Sequence, residues 1–427
     1  MVYTVKEGDT LYGISERFGV PLFVLEADNG IADPEELVVG ESLVVWPPSV
    51  IYTVKSGDTV ESIAELYSTS AREIFRNNPS LGGRGLIYPG QSLVITRESA
   101  PPYGRMTLNG YAYPFIEDDV LRSALPYLTY LSVFTTGIRN DGTLIMPVGA
   151  ERLVAAAGEY GVKPIMVLTS LGEDGNFSNE LTMRVLSSDE ISERVIRSAA
   201  EAVRSGGYAG IDVDFEYISG DYAARYADFI RDLKSELGDG YEVFVSLAPK
   251  VSDDMPGILY EGHDYSSLGG AADRTLLMTY EWGYTYGPPQ AVAPLNKVRE
   301  VVDYAVTRIP ADKIFLGTPN YGYDFKLPYV KGVSKATPLS NAEALSLAKE
   351  RRAAIEYDEP SEAPFFVYYG REGGRDVRHI VWFESPRSVE ATGILAAATG
   401  LAGVSVWNIM KFFPGLFVQL ASMFNIE

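Results

Sequence analysis

At 427 residues the chain is long for one domain, so two or more are expected. A formal charge of −21 excludes a nucleic-acid partner, since phosphate binding depends on clustered lysine and arginine. With no cysteine there is neither a disulfide framework nor a thiolate site, and the two histidines, His263 and His379, are too few and too far apart in sequence for a zinc set. No metal and no cofactor are therefore expected.

Other classes fall away on the same reading. No apolar run reaches the roughly 18–20 residues of a membrane span, so no membrane partner is expected, and the chain is read as a monomer. The start, Met1 to Glu7, has no basic or apolar leader region and already reads as folded domain, so no signal peptide is visible.

The first elements in chain order form a duplication. Tyr3-Thr4-Val5-Lys6-Glu7-Gly8-Asp9-Thr10 returns 49 residues later as Tyr52-Thr53-Val54-Lys55-Ser56-Gly57-Asp58-Thr59. Each copy opens with a short alternating strand and a Gly-Asp-Thr turn. In the first, Asp9 or Thr10 caps a helix with Leu11, Ile14 and Phe18 on one face. In the second, Val60, Ile63, Ala64 and Tyr67 repeat that face. A second helix leads to Asn29 in one copy and to Asn77-Asn78-Pro79 in the other, and each copy closes on a strand, Val39–Val45 and Pro89–Ile95. Pro47-Pro48 and Ala100-Pro101-Pro102 read as linkers, which gives repeats over 1–47 and 50–97 and a third domain over 103–427.

This βααβ unit resembles the LysM module. The resemblance implies an N-acetylglucosamine-containing glycan as partner, held between the first strand–helix loop and the second helix–strand loop. Carried over, the groove takes Gly8, Asp9, Thr10 and Asn29 in copy one, and Gly57, Asp58, Thr59 and Asn78 in copy two. For any one of these residues a turn or cap role stands beside direct sugar contact.

After Pro102 short strands alternate with helical segments, the pattern of βα units on a parallel sheet. The strand candidates are Met106–Tyr113, Leu128–Thr135, Pro164–Thr169, Gly210–Glu216, Glu242–Ala248, Thr275–Tyr280, Lys313–Thr318 and Gly403–Asn408. Between strands three and four, Ser188 caps a helix with Ile191, Val195, Ala199 and Val203 on one face. After strand four a helix over about 222–237 turns Tyr226, Phe229, Ile230 and Leu233 inward. Eight such units predict an α/β fold, a (β/α)8 TIM barrel, with a small α+β insertion at about 323–384.

Strand four carries the chemistry. In Gly210-Ile211-Asp212-Val213-Asp214-Phe215-Glu216, alternation puts the three acids on one face, ~6.5–7 Å apart, with Val213 and Phe215 on the other. Three ionised carboxylates in a barrel interior repel one another, so at least one holds a proton near neutral pH. Barrel catalytic residues sit at the C-terminal strand ends, and Glu216 is the last of the three, the natural proton donor.

The Gly-Ile-Asp-Val-Asp-Phe-Glu run resembles the DxxDxDxE signature of glycoside hydrolase family 18, the chitinase-like barrels. Leu277-Met278-Thr279-Tyr280-Glu281-Trp282, Ser246-Leu247-Ala248-Pro249, Gly317-Thr318-Pro319-Asn320-Tyr321-Gly322 and Val406-Trp407-Asn408 match further family segments. Two positions depart: the signature's leading Asp is Ala209, and the strand-six acid is Glu281.

The resemblance implies catalysis by the substrate's own acetamido group. Glu216 would protonate the glycosidic oxygen, Asp214 would hold the acetamido N–H, and Asp212 would share a proton with Asp214. Tyr280 would steady the acetamido oxygen and Trp407 would floor the sugar, with barrel packing as the alternative for both. Glu281 stands between substrate contact and a structural hydrogen bond, and Tyr113, Asn320 and Tyr321 line the cleft from nearby strand ends.

LysM modules ahead of such a barrel resemble the spore cortex-lytic N-acetylglucosaminidases. That implies a place in the spore cortex, coat or cell wall and a peptidoglycan partner, cut after N-acetylglucosamine because muramic lactam has no free acetamido group. A LysM-bearing chitinase, a non-catalytic chitinase-like lectin and a wall-attachment protein remain as alternatives.

Overall fold

The structure, a computed structural model, describes residues 1–35 and 37–427. The two repeats fold alike for a local reason. Gly8 (φ +85°) and Gly57 (φ +92°) turn the chain in the left-handed region. Asp9 then closes the turn by accepting from the Lys6 N–H at 2.8 Å and the Tyr3 hydroxyl at 2.7 Å. Asp58 does the same with Lys55 and Tyr52, both at 2.7 Å. Thr10 and Thr59 accept from the Gly13 and Ser62 N–H groups and cap helices Leu11–Phe18 and Val60–Leu66, so in copy one the cap is Thr10 and not Asp9. Second helices, Leu22–Asn29 and Ala71–Asn77, lead to closing strands Ser42–Val44 and Ser92–Arg97. These pair antiparallel with Val2–Thr4 and Pro48–Thr53. Pro48, read as linker, opens a strand instead; its missing N–H is tolerated at the first strand position.

The eight barrel strands are Arg105–Ala112, Tyr130–Ile138, Lys163–Thr169, Gly210–Asp214, Glu242–Leu247, Arg274–Leu277, Ile314–Pro319 and Gly403–Trp407. All neighbours pair in parallel, and the first strand pairs with both the second and the eighth, which closes the cylinder. The period of two sorts side chains into two cores. Ile165, Val167, Phe244, Leu276 and Phe315 fill the inside, while Met166, Leu168, Val243, Val245 and Leu316 pack outward under the helices. Strands four and six are shorter than their sequences suggest. The ladder to strand three ends at the Thr169–Asp214 pair and that between strands six and seven at Leu277–Leu316, so Phe215–Glu216 and Met278–Tyr280 run past the ends of those ladders into the barrel mouth.

The insertion begins at Tyr321, directly after strand seven. Its five antiparallel strands, Tyr321–Leu327, Thr337–Ser340, Glu356–Asp358, Ala363–Glu372 and Arg375–Trp382, are joined by a helix over Asn341–Glu350.

The repeats are fastened to each other and to the barrel. Arg97 of the second repeat meets Asp28 of the first in a two-pronged ion pair, both contacts 2.8 Å, with side chains at most 3% exposed. The same guanidinium donates to the carbonyls of Trp46 (2.6 Å) and Asn77 (2.9 Å) and lies over the Trp46 ring. Arg72 and Arg76 donate to the Pro126 carbonyl beneath barrel strand two, and the Tyr127 hydroxyl donates back to the Arg76 carbonyl at 2.8 Å. On the other flank Val38 enters the insertion's core beside Ile355, whose N–H donates to the Val39 carbonyl at 2.8 Å. Among the described residues no helix is long and apolar enough to cross a membrane.

Removing one partner of a buried pair strands the other charge, at a cost of roughly 3–5 kcal/mol. Arg97→Met is therefore expected to release the first repeat well below the unfolding temperature of the barrel. Limited proteolysis, with cleavage near residues 47 and 98 that the parent chain resists, measures it.

Candidate active site

Strand alternation turns Asp212, Asp214 and Glu216 into the barrel and its mouth, while Val213 and Phe215 bury outward against Tyr226 and Phe229. Asp212 is 0% exposed. It accepts from the Tyr111 hydroxyl of strand one at 2.5 Å and from Ser246 Oγ of strand five at 3.3 Å. Burial pushes its pKa up to about 6 against these two donors. Asp214 is raised well above the carboxylate range, first by burial and then by the charges of Glu216 and Asp212. Its Oδ1 is buried and has no hydrogen-bond partner among the described residues. Burial also raises Glu216. The three acids thus titrate as a set that holds protons into the neutral range.

Tyr280 stands beside them, and Trp407 from the end of strand eight lies parallel to it, 13° between planes and 6.3 Å between centroids. Aromatic contacts continue outward from Trp407 to Phe134 and Tyr113, and Tyr113 stacks on Phe115, which is 73% exposed. The result is an apolar shelf leading out of the mouth, suited to the flat faces of sugar rings.

Glu281 takes a left-handed backbone (φ +64°), and its carboxylate accepts from the hydroxyls of Tyr321 and Tyr323, the latter at 3.1 Å. Of its two readings the structural hydrogen bond is the one formed here. Tyr113, Tyr321 and Trp407 line a cleft of about 410 Å³ between barrel and insertion. Asn320 reaches this cleft too, but its side chain works internally: Nδ2 donates to the carbonyls of Asn408 (3.1 Å) and Lys411 (2.8 Å), and it is 3% exposed.

In the repeats, the expected groove residues divide. Gly8, Thr10, Gly57 and Thr59 are exposed along the first loops, with Asp9 and Asp58 tied to their tyrosines. Asn29 and Asn78 face inward, against the expectation of sugar contact by their side chains. Each Nδ2 donates to a carbonyl of its own helix and to one of the closing strand, Val44 or Val94, whose N–H returns a bond to Oδ1. An amide so saturated has little left for a ligand.

Three supports of the site escaped the sequence reading. Tyr111 and Ser246 hold Asp212 from strands that meet strand four only in space. His263, fully buried, accepts from the Ala248 N–H through Nδ1 (2.8 Å), which leaves Nε2–H to donate to the Phe215 carbonyl (3.0 Å). It fixes the backbone between Asp214 and Glu216. Burial lowers its pKa to about 4, so the neutral ring this geometry needs persists in acid.

Glutamine offers the same acceptor and donor. His263→Gln is expected to keep most activity, and His263→Leu to lower kcat at least about tenfold by loosening Glu216. A depressed pKa stabilises the fold fully above the unfolded value of 6.5 and loses that contribution as pH falls toward about 4. Thermal melts of His263→Gln should show less acid destabilisation than the parent across that window.

Comparison with known proteins identifies the family. The family model described as glycosyl hydrolases family 18 matches residues 160–411, and the LysM domain model matches residues 3–46 and 52–96. The chain is 36% identical over 432 residues to the cortical fragment-lytic enzyme of Bacillus subtilis (strain 168), covering 100% of this chain and 98% of that one. The crystal structure of the Bacillus cereus spore cortex-lytic enzyme SleL superimposes with a TM-score of 0.83 at 31% identity, over 100% of this chain and 98% of the other. A chitinase from Chromobacterium violaceum, 23% identical with a TM-score of 0.68 over 74% of this chain and 98% of its own, shares the fold. The chain belongs to glycosyl hydrolases family 18, a glycoside hydrolase with two LysM domains ahead of its barrel.

Proposed function

We propose that the chain hydrolyses spore-cortex peptidoglycan after N-acetylglucosamine, with retention of configuration and with the substrate's acetamido group as nucleophile. The observation that carries this reading is the buried, unpartnered Oδ1 of Asp214, set between a proton donor and a tyrosine. It is an acceptor waiting for a donor, and an acetamido N–H supplies one. Glu281 is engaged by two tyrosines, and the acetamido group as nucleophile is what membership of family 18 implies.

Glu216 gives its proton to the glycosidic oxygen as the C–O bond breaks, while the acetamido oxygen attacks the anomeric carbon. Asp214 accepts from the acetamido N–H and steadies the oxazolinium ring, and Asp212 takes up the proton that Asp214 gives up on ionising. The Tyr280 hydroxyl donates to the acetamido oxygen, and Trp407 lies under the ring. Glu216, now a carboxylate, removes a proton from water, which opens the oxazolinium from the face the leaving group vacated.

The cortex assignment draws on the relatives named above and on the two LysM domains, whose first loops, Gly8–Thr10 and Gly57–Thr59, would meet N-acetylglucosamine chiefly through backbone. Tyr12, 65% exposed on the turn after Thr10, adds a stacking surface in the first domain; the second has Glu61 there.

Glu216→Gln is expected to lower turnover by about 100- to 10,000-fold without changing the melting temperature by more than a few degrees. Mass spectrometry of cortex digests should show N-acetylglucosamine at each new reducing end. Faster cleavage of chitin oligomers than of cortex in parallel digests would overturn the substrate assignment.

A further inference from the structure

The duplication offers an internal comparison at the turn that enters each closing strand. Copy one reads Val38-Val39-Gly40-Glu41-Ser42 and copy two Tyr88-Pro89-Gly90-Gln91-Ser92. Both glycines are left-handed, at φ +88° and +90°, and both turns close the same way. Glu41 accepts from the Val38 N–H at 3.2 Å, and Gln91 Oε1 accepts from the Tyr88 N–H at 3.1 Å. A glutamine therefore satisfies this turn, and an acid adds nothing to its local geometry. The surroundings differ. A side chain at Gly90 would meet open space, and Tyr88 is 60% exposed. A Cβ on Gly40 would lie 1.9 Å from the Ile355 carbonyl oxygen, and Val38 and Glu41 are each only 8% exposed.

The turn of copy one is buried because it is pressed between the insertion and the barrel. The Ile355 N–H donates to the Val39 carbonyl at 2.8 Å, and Val38 packs with Phe366, Val381 and Phe383. Beside Glu41 lies a small space with about 10 Å³ open to water, room for one molecule. Leu345, Ile355, Pro364 and Phe383 line it from the insertion side, and Pro386 and Phe413 from the barrel. Among the described residues lining it, Glu41 is the one ionisable group. Glu343, Lys349, Glu350 and Glu356 of the insertion and Arg387 of the barrel, on the elements packed around the turn, lie outside that lining. Glu384, next to Phe383, is also buried; it accepts from Ser388 Oγ at 2.6 Å, and burial raises it to about 8. The open copy thus carries the neutral amide and the buried copy the acid, the reverse of what burial by itself favours. Burial pushes Glu41 from 4.5 up to about 7, against the Val38 N–H.

We propose that Glu41 is a proton-operated latch: uncharged, it holds the Val38–Ser42 turn of the first LysM domain against the insertion, and ionised, it loosens that contact. The sign follows from the two states of the turn. Between pH 4.5 and about 7 the free turn ionises and the docked one does not, so docking is strongest below about 4.5. It weakens as pH rises and the loss is complete above about 7, up to roughly a hundredfold in the docking equilibrium. The contact is near the cleft as well. Leu345 on the latch wall and Glu343 on the cleft lining belong to one helix, Asn341–Glu350. Proton binding at Glu41 therefore sets how firmly the first domain is held beside the cleft, whichever glycan the barrel cuts.

Hydrogen exchange at the Ile355 amide of the full chain, corrected for the intrinsic rate at each pH, reads the contact directly. In the parent its protection should fall by about tenfold or more between roughly pH 5 and pH 8. Glu41→Gln, a residue that the same turn accepts at Gln91, should keep its protection at both. The Gly90 amide, which donates to the Val54 carbonyl as Gly40 donates to that of Val5, serves as the control and should not respond. Constant protection of Ile355 in the parent overturns the latch. An equal fall in Glu41→Gln also overturns it and passes the pH dependence to another group, Glu384 first. A matching fall at Gly90 would mean a general loosening of the fold and refute it too.

Discussion

Burying carboxylates costs free energy, and the centre of this barrel is arranged around that cost. Asp212, Asp214 and Glu216 share one face of one strand, so each raises the energy of ionising the next. Tyr111 and Ser246 relieve only the deepest of them, and Asp214 keeps an oxygen with no partner among the described residues. An acid that stays protonated toward neutral pH and a buried acceptor left without a donor both follow from the same crowding. The aromatic shelf and the His263 brace have meaning only beside it. In the proposed mechanism the first would hold a sugar against the acids, and the second fixes the backbone that carries the last acid.

The second organising element is the fastening of the LysM domains. Two small βααβ units on proline-bearing connections invite a picture of beads on a string. Here Arg97 makes five hydrogen bonds between two domains, and Arg72 and Arg76 each donate to the Pro126 carbonyl beneath the barrel. Val38 goes further and completes the insertion's apolar core. Glycan held by the first domain is thereby presented at a fixed distance from the cleft, which lowers the entropy cost of bringing a polymer to the acids.

The insertion links these two themes. It follows strand seven without a linker, supplies Tyr321 and Tyr323 to hold Glu281, and supplies Asn341 to hold Asn320. Its outer surface receives the first LysM domain while its inner edge walls the cleft. A hydrolase barrel and a wall-binding repeat that fold for independent reasons are coupled through it.

By itself the sequence determined what depends on short-range periodicity. The 49-residue repeat, the glycines that need a left-handed turn, and the inward file Asp212, Asp214 and Glu216 are all properties of neighbours along the chain. Only the tertiary structure decided which polar groups are spent on the protein itself. Asn29, Asn78 and Asn320 look like ligand residues in the sequence, yet each saturates backbone groups brought to it from more than a dozen residues away. His263 and Tyr111 carry no local signature, because what gives each its role is a partner on a distant segment of the chain. Periodicity is written along the chain, whereas hydrogen-bond satisfaction is settled only when distant segments meet.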